Sequence, residues 1–272
     1  MAGLNEEVQE VKREEKAKVT NETTSEQEKE FDDNGKHKEE MIAKLGDITM
    51  NEENAKTDQE DQEAAKDVKE EEEVKTEVEA KTGVSFPMKL ADGKQLNAVG
   101  IRKKKILALG INIYAFGMYA DNEKLKEFLR TKFGEAPEKA SKEHYDAVIN
   151  SDVGMIVRLV IVFGGLTMSM VRKNFDEGLG ASLKKLNGGQ KNEELVNKVM
   201  GAAKDTIKLP SGSIIEIARM PGYVLQTKVK DELISQVESE LLCRAYLHMY
   251  LGDEPFDKEA KEKFGASLIT LF

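Results

Sequence analysis

Hydrophobic positions are scattered over the first 80 or so residues, and beyond them they fall into two regular periods. The most apolar run, residues 155–163 (MIVRLVIVF), is bracketed by Gly154 and Gly164-Gly165. It is too short for a long helix and predicts a buried strand. Ahead of it, residues 84–90, 96–102 and 105–120 read as strands, the first ending at an Asp92-Gly93 turn signal. Residues 124–133 predict a helix with Leu125, Phe128 and Leu129 on one side, and Pro137 and Ser141 open another to about residue 149. Residues 167–186 place Val171, Phe175, Leu179, Leu183 and Leu186 on one stripe, the mark of an amphipathic helix ended by Asn187-Gly188-Gly189. A second helix is expected over 193–207, then strands over 213–218 and 223–228 around Pro221-Gly222. One long helix is expected over 231–251 with Ile234, Val237, Leu241, Ala245 and Met249 inward, and residues 257–271 close the chain. Early strands, later helices and hairpin links predict an α+β architecture, an antiparallel sheet with helices on one face.

Charge divides the chain where the hydrophobic pattern does. Residues 1–80 hold 27 acidic and 12 basic side chains, and the remainder 24 acidic and 29 basic. The first part has one aromatic residue, Phe31, and no proline, whereas all six tyrosines lie in the second. Low hydrophobicity with high net charge does not offset the entropy of folding, so residues 1–82 are expected to be a disordered acidic arm and 83–272 one folded domain. The arm is a candidate for binding a protein partner. It has a single Arg and a single Ser, the opposite of a transit peptide, and no apolar signal core, so composition points to the cytoplasm. No apolar run approaches the ~18–20 residues of a membrane span.

The chemistry on offer is limited. One cysteine, Cys243, and three histidines, His37, His144 and His248, leave no disulfide framework, no zinc site and no nucleophile–histidine pair with a recognisable motif. No phosphate-binding loop is present and nothing calls for a cofactor or metal. Arg102-Lys103-Lys104-Lys105 is the one dense basic run, but alternate strand residues face opposite ways, and an acidic arm repels polyanions, so no nucleic acid is expected. Arg102 stands between two apolar pieces, and a buried guanidinium needs an anionic or polar partner. Tyr114, Phe116 and Met118 share one face of the following strand. Such a cavity suits a carboxylate with a long apolar tail, and an internal salt bridge to Arg102 is equally compatible with the pattern.

Gly100-Ile101-Arg102, Ile113-Tyr114-Ala115-Phe116-Gly117-Met118-Tyr119, Leu241-Leu242-Cys243-Arg244 and the segment Tyr250-Leu251-Gly252-Asp253-Glu254-Pro255-Phe256 together resemble the chalcone isomerase family, in particular its plant fatty-acid-binding branch. The resemblance spans roughly residues 83–272 and implies that family's open-faced sandwich. It places the family's catalytic arginine on Arg102, its lysine on Lys173 and a late threonine on Thr227. A threonine, a tyrosine and an asparagine of the flavonoid-cyclising enzymes are replaced by Tyr114, Met170 and Glu177. The resemblance therefore implies a non-catalytic protein that binds free fatty acids, with Arg102 and Tyr114 on the carboxylate and no catalytic residue. Phe116, Met118, Met170, Lys173 and Thr227 are candidates for the pocket lining. Glu177 would bring a negative charge toward the pocket or pair with Lys173 one turn away. Two alternatives stand beside this reading: a chalcone–flavanone isomerase using Arg102 and Lys173, and a non-catalytic accessory protein that binds a partner enzyme. The resemblance also implies the plastid stroma as an alternative compartment.

Overall fold

The computed structural model describes residues 75–106, 109–199, 201 and 203–272. The acidic arm falls almost wholly outside them. A six-stranded antiparallel sheet runs in the order β10-β9-β8-β5-β4-β3, so that strand order in space follows strand order in the chain. Its members are β3 (Gln95–Ile106), β4 (Leu109–Ala120), β5 (Met155–Ile161), β8 (Ile214–Met220), β9 (Val224–Val229) and β10 (Glu232–Glu238). Between β4 and β5 lie helices α1 (Asn122–Phe133) and α2 (Lys142–Asn150). Between β5 and β8 come β6 (Leu166–Thr167), α3 (Met168–Leu186), α4 (Glu193–Val199) and β7 (Lys208–Leu209). The chain ends in α5 (Glu240–Leu251) and α6 (Lys258–Thr270).

The helix-bearing face of the sheet is apolar through strand alternation. Tyr114, Phe116 and Met118 on β4 stand opposite Ile161, Leu159 and Val157 on β5, and Leu159 and Val157 stand opposite Ile215 and Ile217 on β8. Helix α6 packs on β3, α5 on β9, and α4 on β9 and β10, while α3 packs against α5. Gly100 makes the first of these contacts possible. A Cβ there would lie 2.5 Å from the Ala260 Cβ of α6 and 2.7 Å from Phe116 Cζ.

The opposite face is partly covered too. A short hairpin of β1 (Thr76–Val78) and β2 (Ser85–Pro87) lies beside it, and Phe86 is fully buried with Leu96, Val99, Ala115, Tyr119 and Ile156. Strand β1 precedes residue 83, so the folded part begins earlier than composition suggested. Lys81 also pairs with Glu259 of α6 at 2.7 Å.

The region expected to form one helix over 231–251 is instead a strand followed by a helix. Lys230 and Asp231 take positive φ angles of 51° and 66° in a tight turn, which sends β10 back along β9. Ser239 then caps α5, its side chain accepting from Leu242 N at 3.2 Å. Helix α5 is buried on most of its circumference, through Leu242, Cys243, Ala245, Tyr246, Leu247, Met249, Tyr250 and Leu251, and Leu241 is only half-buried. The helix expected over 193–207 is shorter, because α4 stops at Val199.

Candidate functional site

A narrow cleft, partly open to solvent, lies between the sheet and helices α3 and α5, with a cavity of about 30 Å³. Leu159, Ile161 and Ile215 form its sheet side, Val171 and Phe175 line it from α3, and Met249 from α5. Its polar groups gather toward one end: Arg102 and Lys104 from β3, Tyr114 from β4 and Asn174 from α3.

Arg102 and Tyr114 are direct cross-strand partners, so both project from the same face. The next pair in the ladder is Lys103 with Asn112, which leaves Ile113 as a bulge residue. The bulge lets two consecutive β4 residues, Ile113 and Tyr114, both line the cleft, which strict alternation would forbid. Phe116 lies beneath, its ring edge-on to Tyr114 at 6.5 Å and to Tyr250 of α5 at 5.0 Å.

The Arg102 guanidinium sits over the Phe256 ring, 3.6 Å from its centroid, and among the described residues it has no hydrogen bond or ion pair to a protein group. A cation over an aromatic face is stabilised by about 0.5–2 kcal/mol and keeps its N–H donors at the rim. Phe256 is held from three sides. Tyr250 packs edge-on to it at 5.4 Å, and Gly178 of α3 leaves room where a Cβ would stand 2.9 Å from its Cζ. The next residue, Asp257, caps α6 through Glu259 N and Ala260 N and also accepts from Ile101 N of β3 at 3.0 Å.

The Tyr114 and Tyr250 hydroxyls are 3.5 Å apart. Burial is the main reason both phenols are held well above the ordinary tyrosine value, with Arg102 pulling only slightly the other way. Both are therefore neutral O–H groups, and one can donate outward while the other satisfies it. The Tyr246 hydroxyl, one turn earlier on α5, is buried without a hydrogen-bond partner among the described residues, its ring edge-on to Tyr250 at 5.5 Å. Lys104 Nζ donates to Asn174 Oδ1 at 2.6 Å and to Glu177 Oε2 at 3.1 Å, tying β3 to α3 at the cleft edge. No group of three or more His, Cys, Asp or Glu among the described residues could hold a metal ion.

Of the residues singled out in the sequence, Arg102 and Tyr114 converge on the cleft. The lining candidates Phe116, Met118, Met170, Lys173 and Thr227 do not form its wall. Phe116 and Met118 are buried one and two pleats further along β4, and Met170 is buried on the first turn of α3. Lys173 is half-buried outside the lining. Thr227 is fully buried on β9 beside Ile217, its hydroxyl unpartnered among the described residues. Glu177 meets Lys104 rather than Lys173. The sequence reading missed Lys104, Asn174, Phe175, Met249, Tyr250 and Phe256 as site residues. A signal existed for two of them: Tyr250 and Phe256 lie in one of the segments that carry the family resemblance, with Tyr246 and Tyr250 one helical turn apart.

A chalcone isomerase-like family model matches residues 136–264. Chalcone isomerase-like protein 1 of Humulus lupulus is 56% identical over 196 residues, covering 71% of this chain and 92% of the relative. Fatty-acid-binding protein 1 of Arabidopsis thaliana is 41% identical over 190 residues, 68% of each chain. The crystal structure of an Arabidopsis thaliana fatty-acid-binding protein superimposes with a TM-score of 0.69 at 39% identity, covering 72% of this chain and 98% of that one. With relatives this similar over most of its folded part, the chain belongs to the chalcone isomerase-like family.

Proposed function

We propose that this protein binds free fatty acids, with Arg102 and Tyr114 holding the carboxylate and the apolar walls of the cleft holding the tail. The observation that carries the reading is Arg102. Its guanidinium faces an apolar cleft beside a neutral tyrosine hydroxyl, and no acidic residue among those described satisfies it. A half-buried cation gains most from an anionic or polar partner, and in this reading the ligand carboxylate supplies one. The relatives named for fatty-acid binding point the same way.

The energetics divide between the two ends of such a ligand. An arginine–carboxylate contact contributes about 1.5–3 kcal/mol net, and each buried methylene about 0.8 kcal/mol. A long tail therefore dominates affinity, and the arginine orients the ligand and selects an acid. The chalcone–flavanone isomerase reading would need Arg102 and Lys173 to act on one substrate, and Lys173 lies outside the cleft wall.

Calorimetric titration with dodecanoic acid and its methyl ester tests the proposal. The wild-type chain should prefer the acid, and Arg102→Ala should erase most of that preference while leaving the fold intact by circular dichroism. Equal binding of acid and ester by both proteins would overturn the reading.

A further inference from the structure

We infer that Glu177 sets the charge this cleft accepts, restricting its head group to one negative charge. The inference rests on the carboxylate-binding reading of the same site. Two cations line the cleft, Arg102 and Lys104, and no carboxylate residue is among the lining groups. What meets each cation differs. Arg102 has only the Phe256 ring beneath it, whereas Lys104 is engaged by Asn174 at 2.6 Å and by the Glu177 carboxylate at 3.1 Å. Glu177 sits outside the lining on α3 and reaches Lys104 from the rim. The cleft mouth thus offers one uncompensated positive charge.

A fatty-acid carboxylate neutralises that charge and leaves nothing over. A head group with two charges, such as an alkyl phosphate dianion, meets one free cation and the negative field of Glu177. Coulomb energy scales with the ligand's charge, so the dianion feels both the Arg102 attraction and the Glu177 repulsion about twice as strongly. Its desolvation cost rises more steeply, with the square of the charge, and with Glu177 in place one free cation does not offset it. The pair is suited to selection rather than bracing. Its side chains are 32% and 57% exposed, and an ion pair so open to water adds little to stability. Asn174, itself anchored by Nδ2 donating to Met170 O at 2.7 Å, keeps Lys104 in place when the Glu177 charge is removed.

The experiment titrates the full 272-residue chain with dodecanoate and with dodecyl phosphate below their micelle concentrations. A pH of about 8 keeps the phosphate, whose second pKa is about 6, as the dianion. Wild type should bind dodecanoate more tightly. Glu177→Gln should improve dodecyl phosphate binding about three- to five-fold, the scale of one partly exposed charge pair, and dodecanoate about two-fold or less. Adding Lys104→Met to Glu177→Gln should remove the gain. An unchanged ratio of the two ligands in Glu177→Gln would overturn the inference while dodecanoate binding that still depends on Arg102 leaves the carboxylate reading standing. Dodecanoate binding that ignores Arg102→Ala would overturn both.

Discussion

At the scale of single residues, the proposed head-group end is a matter of one cation and one hydroxyl brought side by side. Arg102 carries a permanent charge and a planar fork of donors, so its loss removes the electrostatic attraction outright. Tyr114 supplies one O–H, and Tyr250 at 3.5 Å can take up part of its role. Tyr114→Phe should therefore weaken dodecanoate binding about three- to ten-fold, less than Arg102→Ala, because a neutral donor contributes about 0.5–1.5 kcal/mol. Comparing the two variants by calorimetry checks that order. His248, on the last turn of α5, gives a prediction of a different kind. Burial, helped by Lys185 and Lys142, holds its imidazole below the ordinary histidine value. The unfolded chain thus takes up this proton first as the pH falls, so His248 contributes stability above about pH 6.5 that is lost on descending toward its lowered folded value. Urea midpoints between about pH 7 and pH 5.5 should drop in wild type and drop less in His248→Gln, a window that lies above the carboxylate titrations.

At the scale of elements, the site depends on how closely α6 and α3 approach their neighbours. Gly100 lets α6 lie on β3 with the Phe116 ring alongside, and Phe116 in turn props Tyr114 and Tyr250. Gly100→Ala would place a Cβ within clashing distance of both, so it should cost about 1–3 kcal/mol of stability through overpacking. The displaced Phe116 ring should also weaken dodecanoate binding. Ala260→Gly in the same chain should recover part of the loss in a double-mutant cycle, because it removes one of the two opposing atoms. The helix-to-strand correction at residues 232–238 belongs to this scale as well. Ile234, Val237 and Leu241 have a helical spacing, but Ile234 and Val237 serve an edge strand and Leu241 falls beyond the Ser239 cap. Short apolar spacings do not distinguish a strand-cap-helix from one long helix when the turn is built by two non-glycine residues at positive φ.

At the scale of the whole molecule, the sheet and α2 are joined through one buried charge. Arg219 on β8 is fully buried, and it donates to Val148 O, Ile149 O and Val153 O and to Ser151 Oγ at 2.9–3.2 Å. Burial brings its guanidinium down to about 10, so it remains charged at neutral pH. These acceptors cluster at the end of α2 and in the loop that leads to β5, where helix carbonyls would otherwise be orphaned. Arg219→Met should cost on the order of 3–5 kcal/mol, since it strands several buried carbonyls at once. Urea unfolding measures this, and Arg219→Lys should rescue little because an ammonium does not span the same acceptors. Arg219 carries no ligand signal, and it is the example of a buried arginine whose partners are entirely internal. Arg102 differs in that, among the described residues, only the Phe256 ring meets its guanidinium.

Local pattern determined much of this protein on its own. A short apolar run between glycine brackets marked β5, the spacing of Val171, Phe175, Leu179 and Leu183 marked α3, and Pro221-Gly222 marked the β8–β9 hairpin, because each depends on neighbours within a few residues. That Arg102 and Tyr114 would share a cleft was expected from strand position and from the family resemblance of the motifs that carry them, and their direct cross-strand pairing came from the ladder. Tertiary structure alone decided what surrounds them. The Ile113 bulge, the Phe256 ring under Arg102 and the capture of Lys104 by Glu177 each join segments 70 or more residues apart or depend on a ladder register, and no local period encodes such a meeting. The same reason separates Arg102 from Arg219: both are single arginines on apolar strands, and only the packing of distant elements shows which one the protein satisfies from within.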